Sequence, residues 1–217
     1  MSFDGFPEEL LSFYEGLTAD NTKAYWTDHR VAYDGCVKAP MEALLAELEP
    51  EFGPAKLFRP YRDVRFSKDK TPYKTAAAAA LGDDVQGGLY LQVSADGLMI
   101  AGGAHGLTTD QARRLRAAIA EDRPGRLLTK VLMGLEAAGF LIHGDRLKRL
   151  PKEYEPDHPR VDLLTCKTLF AAQQHEPAPW LHTPAALPRI AAAWRELGPL
   201  NAWLAQHVGP PRSERQG

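Results

Sequence analysis

The sequence has 217 residues, of which 44% are hydrophobic and 25% charged, and its formal net charge is −2. These values are typical of one globular domain with ample material for a core, and they argue against a chromatin-type DNA-binding protein. The chain shows no apolar run long enough to span a bilayer, no signal-peptide pattern and no paired-cysteine motif, so we predict a cytoplasmic protein without membrane association.

The first third of the sequence has helical spacing. Apolar residues recur at helical intervals in residues 7–17, which predicts a first helix. Asp20-Asn21 is a capping signal for a second helix, and Pro40 is expected to interrupt that helix. A third helix is then predicted to about Glu49. The second helix carries an aromatic stripe that we assign to the core, formed by Tyr25, Trp26 and Tyr33.

The middle third is typical of β-strands. Residues 57–66 alternate between an apolar face that includes Arg62 and a polar or aromatic face, which predicts a strand. Residues 75–81 are a weaker strand candidate, because alanine is a poor strand former unless close packing requires small side chains. Residues 88–94 and 98–102 flank an Asp-Gly turn, which predicts a hairpin.

Helical patterns return in the last third, with one further hairpin expected between residues 140–143 and 146–150. The predicted helices are 109–120 after a Thr108/Thr109 cap, 125–138, one that starts at Asp157-His158-Pro159, and 185–207 with a break near Gly198-Pro199. Together the elements predict an α+β fold in which helices cover a mainly antiparallel sheet. We expect one domain over residues 1–208 and a disordered tail over residues 209–217.

The most informative segment is residues 59–74, RPYRDVRFSKDKTPYK, which holds three arginines, three lysines, two aspartates and two tyrosines. Strand geometry places Arg59 and Arg65 on one face with Asp63, and it places Arg62 on the apolar face. An arginine among apolar neighbours is costly unless it is paired. We therefore predict that Arg62 is structural and is buried against a carboxylate from the helical layer.

The leading functional hypothesis is the binding of a phosphate-bearing small molecule by this segment. Guanidinium groups form forked hydrogen bonds to phosphate or carboxylate, and an aspartate can orient the fork. A neighbouring tyrosine can stack a ring. The predicted ligand-binding residues are Arg59, Asp63 as the orienting residue, Arg65, Lys68, Lys70 and Tyr73. Nucleic acid is a less favoured partner, because the remainder of the chain is net negative and would repel an extended polyanion.

Two alternatives to small-molecule binding remain open at this point. The protein could be an enzyme that uses the same basic cleft, with Asp63 or His105 as the acid or base. The basic segment could instead be a fold-stabilising ion-pair network in a structural or interaction protein. Gly102-Gly103 before a helix N-terminus and the basic turn at residues 148–152 are weaker candidates for anion contacts. We predict no metal site and no cofactor, since the histidines and cysteines lack ligand spacing, and the oligomeric state stays open.

The basic segment also resembles the signature of a bacterial family of conserved hypothetical proteins, the domain of unknown function 2461. The residues that carry the resemblance are Arg59, Arg62-Asp63, Arg65-Phe66, Asp69-Lys70 and Tyr73. The resemblance extends over nearly the whole chain, to about His207. It implies a single domain and a bacterial origin, and it implies no particular activity.

Overall fold

A computed structural model of the protein describes residues 2–65, 67–82 and 88–211. Phe66 of the predicted strand and residues 212–217 of the predicted tail lie outside the described residues. Among the described helices, none combines the length and the apolar character needed to cross a membrane.

Six strands form one antiparallel sheet, and helices precede and follow it. The strands are β1 (Ala55–Leu57), β2 (Ala76–Leu81), β3 (Gly88–Ser94), β4 (Gly97–Ala104), β5 (Leu141–His143) and β6 (Leu169–His175). Their order in the sheet is β1-β2-β3-β4-β6-β5. The predicted α+β class is therefore confirmed, as are the strand over the alanine run and the hairpin of β3 and β4.

Most helices lie where the sequence predicts them. They are α1 (Glu9–Ala19), α2 (Lys23–Asp28), α3 (Arg30–Ala32), α4 (Ala39–Phe52), α5 (Thr109–Ala120), α6 (Asp122–Ala137) and α7 (Ala186–His207). A π-helical segment, Tyr33–Lys38, joins α3 to α4, and two short 3₁₀ turns cover Leu163–Thr165 and Pro179–His182.

The described residues form two compact units. The first contains residues up to Leu81 together with Tyr90–Ile100 and Gln174–Ala193. Within it, α4 packs on β1 and β2, and an aromatic cluster lies at its centre. Trp26 and Tyr33 are each only 4% exposed, which confirms that these two members of the predicted aromatic stripe belong to the core. Tyr25, the third member, is only half-buried and stacks on His29.

The predicted interruption of the second helix at Pro40 is wrong. The chain runs from α3 through the π-helical segment into α4 without leaving helical geometry. In this segment the Ala39 N–H bonds to the carbonyl of Asp34, five residues earlier. Pro40 then lies in the first turn of α4, where the missing N–H and the fixed φ of proline are tolerated.

The predicted strand over residues 57–66 is shorter than expected, because β1 ends at Leu57. Beyond it the chain forms an irregular arm that still pairs with the segment leading into β2. The pairing consists of Phe58 N–H to Ala78 O, Arg62 N–H to Pro72 O, Lys74 N–H to Pro60 O, and an isolated bridge between Tyr61 and Tyr73. Pro60 and Pro72 have no N–H to donate, so a continuous ladder cannot form here.

The second unit contains Ala101–Gln173 and the chain from Trp194 onward. Its α5 begins as predicted, with the Thr108 hydroxyl accepting from the Gln111 N–H and the Gln111 side chain accepting from the Thr108 N–H. The helix predicted from Asp157 is wrong. Instead, the buried Arg160 donates to the Ile119 carbonyl at 2.7 Å and caps the C-terminus of α5.

Two further predictions in the last third are wrong. β5 pairs with β6, with Leu141 opposite Ala172, and does not form a hairpin with residues 146–150. α7 continues through Pro199 without a break. At the start of the predicted tail, Gly209 is buried and its carbonyl accepts from Gln111 Nε2 at 2.9 Å.

Candidate functional site

An open cleft of about 510 Å³ lies on one face of β2 and β3 in the first unit. This volume falls within the usual range of small-molecule sites. The basic segment and the two strands contribute its walls, which are Phe58, Arg62, Lys74, Thr75, Ala76, Ala78, Tyr90 and Gln92.

The alternation of side chains along two strands builds the floor of the cleft. Ala76 and Ala78 are two residues apart on β2, and Tyr90 and Gln92 are two residues apart on β3, so each pair projects to one face. The alanine methyl groups occupy little volume and leave space above the strand. The Tyr90 hydroxyl donates to Gln92 Oε1 at 2.8 Å, which fixes the orientation of the amide.

Cationic groups surround the Phe58 ring at one side of the cleft. Lys74 Nζ lies 5.3 Å and Lys56 Nζ 5.9 Å from the ring centroid, within the range of cation–π contacts. Burial, followed by the charge of Arg59, lowers the pKa of Lys74. In the described part of the chain, neither Lys74 nor Arg59 has a carboxylate within ion-pair distance.

Arg62 reaches the cleft from the arm after β1, and its partners lie in the following loop. Its Nη1 donates to Asp69 Oδ2 at 2.5 Å and to Thr71 Oγ1 at 2.6 Å. The Thr71 N–H and hydroxyl both donate to Asp69 Oδ1, and these bonds, with the charge of Arg62, hold the pKa of Asp69 below its usual range. The prediction of a buried arginine paired with a helical-layer carboxylate is wrong, since the Arg62 side chain is 35% exposed and its partner is a loop residue.

The loop itself is closed by contacts among its own residues. Arg65 forms a forked pair with Asp63, with N···O distances of 3.0 and 2.7 Å, and this pair lowers the pKa of Asp63. Lys70 Nζ donates to the Val64 carbonyl at 2.9 Å. Much of the charge in the segment is therefore engaged in holding the loop together.

Comparison with known proteins places the chain in a family. A model of the conserved hypothetical protein family DUF2461 matches residues 9–203. The chain belongs to this family. No curated protein and no solved structure matches it. The expected resemblance is confirmed, and the assignment brings no activity with it.

In this DUF2461 chain the predicted ligand-binding residues separate into three groups. The charge of Arg59 contributes, after burial, to the lowered pKa of Lys74. Asp63, Arg65 and Lys70 are occupied in the loop contacts described above. Lys68 is exposed and makes no hydrogen bond or ion pair with a described residue. None of these five residues lines the cleft, and their part in ligand binding stays a prediction.

Tyr73 is not a ligand-stacking residue, contrary to the prediction. Its side chain is 5% exposed and stacks on Trp26 with ring centroids 4.4 Å apart and an interplanar angle of 10°. Its backbone is held by Asn21, whose amide oxygen accepts from the Tyr73 N–H and whose amide nitrogen donates to the Tyr73 carbonyl. The ring thus belongs to the core of the first unit.

The other candidates offer little chemistry for an enzyme. Asp63 directs both oxygens to Arg65 and has a lowered pKa, which makes it a weak base. His105 is exposed in the second unit, makes an edge contact with Phe170 at 5.6 Å, and has no hydrogen bond to a described residue. Gly102 and Gly103 lie within β4 and form no anion-binding loop.

Sequence reasoning missed the residues that line most of the cleft, namely Phe58, Thr75, Ala76, Ala78, Tyr90 and Gln92. The signal that could have found them is the period-two pattern of β3, in which Tyr90 and Gln92 share a face that is not fully buried. The alanine run pointed the same way, because small residues in a strand imply close packing or open space above them.

Proposed function

We propose that the cleft binds a phosphate-bearing small molecule. The observation that carries this proposal is the presence of two cationic side chains, Arg62 and Lys74, in the lining of the cleft, with no carboxylate partner for Lys74 in the described chain. Burial, and then the charge of Arg59, lower the pKa of Lys74 and so disfavour its charged form. A bound phosphate stabilises that charged form, so the arrangement favours an anionic ligand.

The orientation of Arg62 also supports the proposal. Asp69 and Thr71 hold the guanidinium through Nη1 alone, and the Nε and Nη2 groups make no hydrogen bond to a described residue. The arginine is thus pre-oriented while retaining donors for a phosphate oxygen. Asp69 takes the orienting role at the cleft that the sequence suggested for Asp63.

A small ligand fits this arrangement better than a polyanion does. The cationic side chains Arg62 and Lys74 line one cleft, and the exposed Arg65 and Lys70 are engaged within their own loop. An extended nucleic acid requires a row of cations that follows its phosphates. The ion pairs of the loop also favour a structural role for residues 63–71, which is compatible with ligand binding at the neighbouring cleft.

The proposal is tested by isothermal titration calorimetry with inorganic phosphate and ribose 5-phosphate. We expect Lys74→Gln and Arg62→Gln each to weaken binding of ribose 5-phosphate by about tenfold or more, since a hydrogen bond to a charged group contributes about 1.5–3 kcal/mol. Lys23→Gln, which removes an exposed lysine of α2, is the matched control and should bind as wild type does.

A second measurement separates the cleft from the loop. Without ligand, Lys74→Gln should melt at or above the temperature of the wild type, because it removes an unpaired cation from a half-buried position. Lys68→Gln tests the original assignment of the site to the loop. If Lys68→Gln loses affinity and Lys74→Gln keeps it, the cleft is not the ligand site.

A further inference from the structure

We infer that the ligand carries, besides its phosphate, a flat unsaturated ring with a hydrogen-bond acceptor on its edge, as a nucleoside monophosphate does. This inference rests on the proposed function. It concerns the part of the cleft away from the cations, where the floor is formed by alanines and the wall by Tyr90 and Gln92.

The floor provides a flat apolar surface. Ala76 and Ala78 expose only methyl groups toward the cleft, so a planar group can lie against the sheet without displacing a side chain. Alanine is an unfavourable choice for a strand, and larger side chains at these positions would fill the space. The geometry therefore favours a flat group over a bulky aliphatic one.

The wall provides aromatic contact. The centroids of the Tyr90 and Phe58 rings lie 6.4 Å apart with an interplanar angle of 36°, and both side chains line the cleft. Burial raises the pKa of Tyr90, so its phenol stays neutral and presents an uncharged aromatic surface at physiological pH. Contact between an aromatic side chain and a nucleobase is tolerant of base identity, because every base has a π face.

Gln92 provides the polar contact that selects the ring. Its Oε1 accepts the Tyr90 hydroxyl at 2.8 Å, and no described residue accepts a hydrogen bond from its Nε2. The amide is therefore fixed with two N–H donors available at the cleft. A ring carbonyl or an unprotonated ring nitrogen satisfies such donors, whereas a saturated hydrocarbon leaves them unpaired.

The experiment compares uridine 5′-monophosphate with ribose 5-phosphate by isothermal titration calorimetry. We expect the nucleotide to bind wild type about tenfold tighter or more, from stacking of one base. Gln92→Ala and Ala76→Leu should reduce this ratio toward one. Ala80→Leu is the matched control, since Ala80 lies on the same face of β2 and does not line the cleft.

The outcomes separate this inference from the proposed function. If wild type binds the two compounds with equal affinity, the inference that the cleft recognises a ring is wrong, and the proposal of phosphate binding is unaffected. If neither compound binds and inorganic phosphate does not bind, both the inference about the ring and the proposed function are wrong. A full tenfold preference that persists in Gln92→Ala overturns the role of the amide. If Ala76→Leu fails to fold by circular dichroism, Ala76→Val provides the same test with a smaller addition.

Discussion

Asn21 connects the junction of α1 and α2 to the segment that leads into β2, beside the cleft. Its amide makes two hydrogen bonds of 3.0 Å with the backbone of Tyr73, one as donor and one as acceptor. The side chain thus replaces the strand neighbour that Tyr73 would otherwise need. Asn21→Ala removes both bonds and leaves a part-buried N–H and carbonyl without their partners.

The expected cost follows from the number of bonds lost. Each net hydrogen bond contributes about 1 kcal/mol, and leaving buried partners unsatisfied adds to this, so we expect a loss of about 2–3 kcal/mol. For a chain of this size, that corresponds to a decrease in Tm of about 4–12 °C. Arg62→Ala should cost less than about 1 kcal/mol, because both side chains of its pair with Asp69 are partly exposed to solvent.

Urea denaturation of the two variants measures these costs, and hydrogen exchange of the Tyr73 amide reports the local bond directly. Asn21→Asp is a useful intermediate, since it keeps an acceptor for the Tyr73 N–H and loses the donor to the Tyr73 carbonyl. We expect its stability to lie between wild type and Asn21→Ala. A loss of more than 3 kcal/mol in Arg62→Ala, with Asn21→Ala near wild type, would contradict this account of the arm.

Two further predictions concern the loop and a turn. The lowered pKa of Asp63 means that its contribution to stability is present above the usual pKa of 3.8 and is lost as pH falls through the lower folded value. A carboxyl titration by NMR should show this, and Arg65→Gln should raise the Asp63 pKa toward 3.8. Gly97 has φ of +98°, and an added Cβ would lie 2.2 Å from the His175 carbonyl oxygen, so Gly97→Ala should cost about 2–4 kcal/mol in urea denaturation. Gly35→Ala, where nothing lies within 4 Å, should be neutral or stabilising, and equal losses in both variants would refute the steric reasoning.

The elements that sequence reasoning predicted correctly carry their signals locally. The Thr108–Gln111 capping box defines the start of α5 within four residues, and Asp96-Gly97 defines the hairpin of β3 and β4. In such cases the side chains that specify the element contact its own backbone. No information from distant parts of the chain is needed.

The elements that it missed depend on distant partners. Leu141–His143 finds its strand neighbour in β6, about thirty residues later, while the sequence offered a nearer Gly-Asp turn. His158 and Arg160 resemble the start of a helix, but both bond to the carbonyls at the C-terminus of α5. The local sequence around His158 and Arg160 does not show that these residues cap the C-terminus of α5 and do not begin a helix of their own.

Sequence reasoning placed the candidate site in residues 59–74, and of that segment Arg62 and Lys74 line the cleft. The density of charged residues identifies residues 59–74 as a candidate segment. Which cations remain free for a ligand depends on the ion pairs that the loop geometry forms, and the sequence does not show these pairs. Asp69 lies seven residues from Arg62, and its carboxylate pairs with the guanidinium while accepting from the Thr71 N–H. Strand alternation placed Arg62 on the apolar face of a predicted strand, but the strand ends at Leu57, before Arg62.

Two departures from local rules coincide at the cleft, and their coincidence favours a ligand site over a purely structural motif. Alanines fill β2 where β-branched residues would stabilise a strand better. Lys74 lies half-buried in the cleft without a carboxylate neighbour in the described chain that would stabilise its charge. A motif that served stability alone would be more stable with β-branched residues in β2 or with a carboxylate beside the unpaired cation. Within the loop, the Asp63–Arg65 and Asp69–Arg62 pairs already provide such carboxylates. Because these two features share one cavity, a planar phosphate-bearing ligand accounts for both at once.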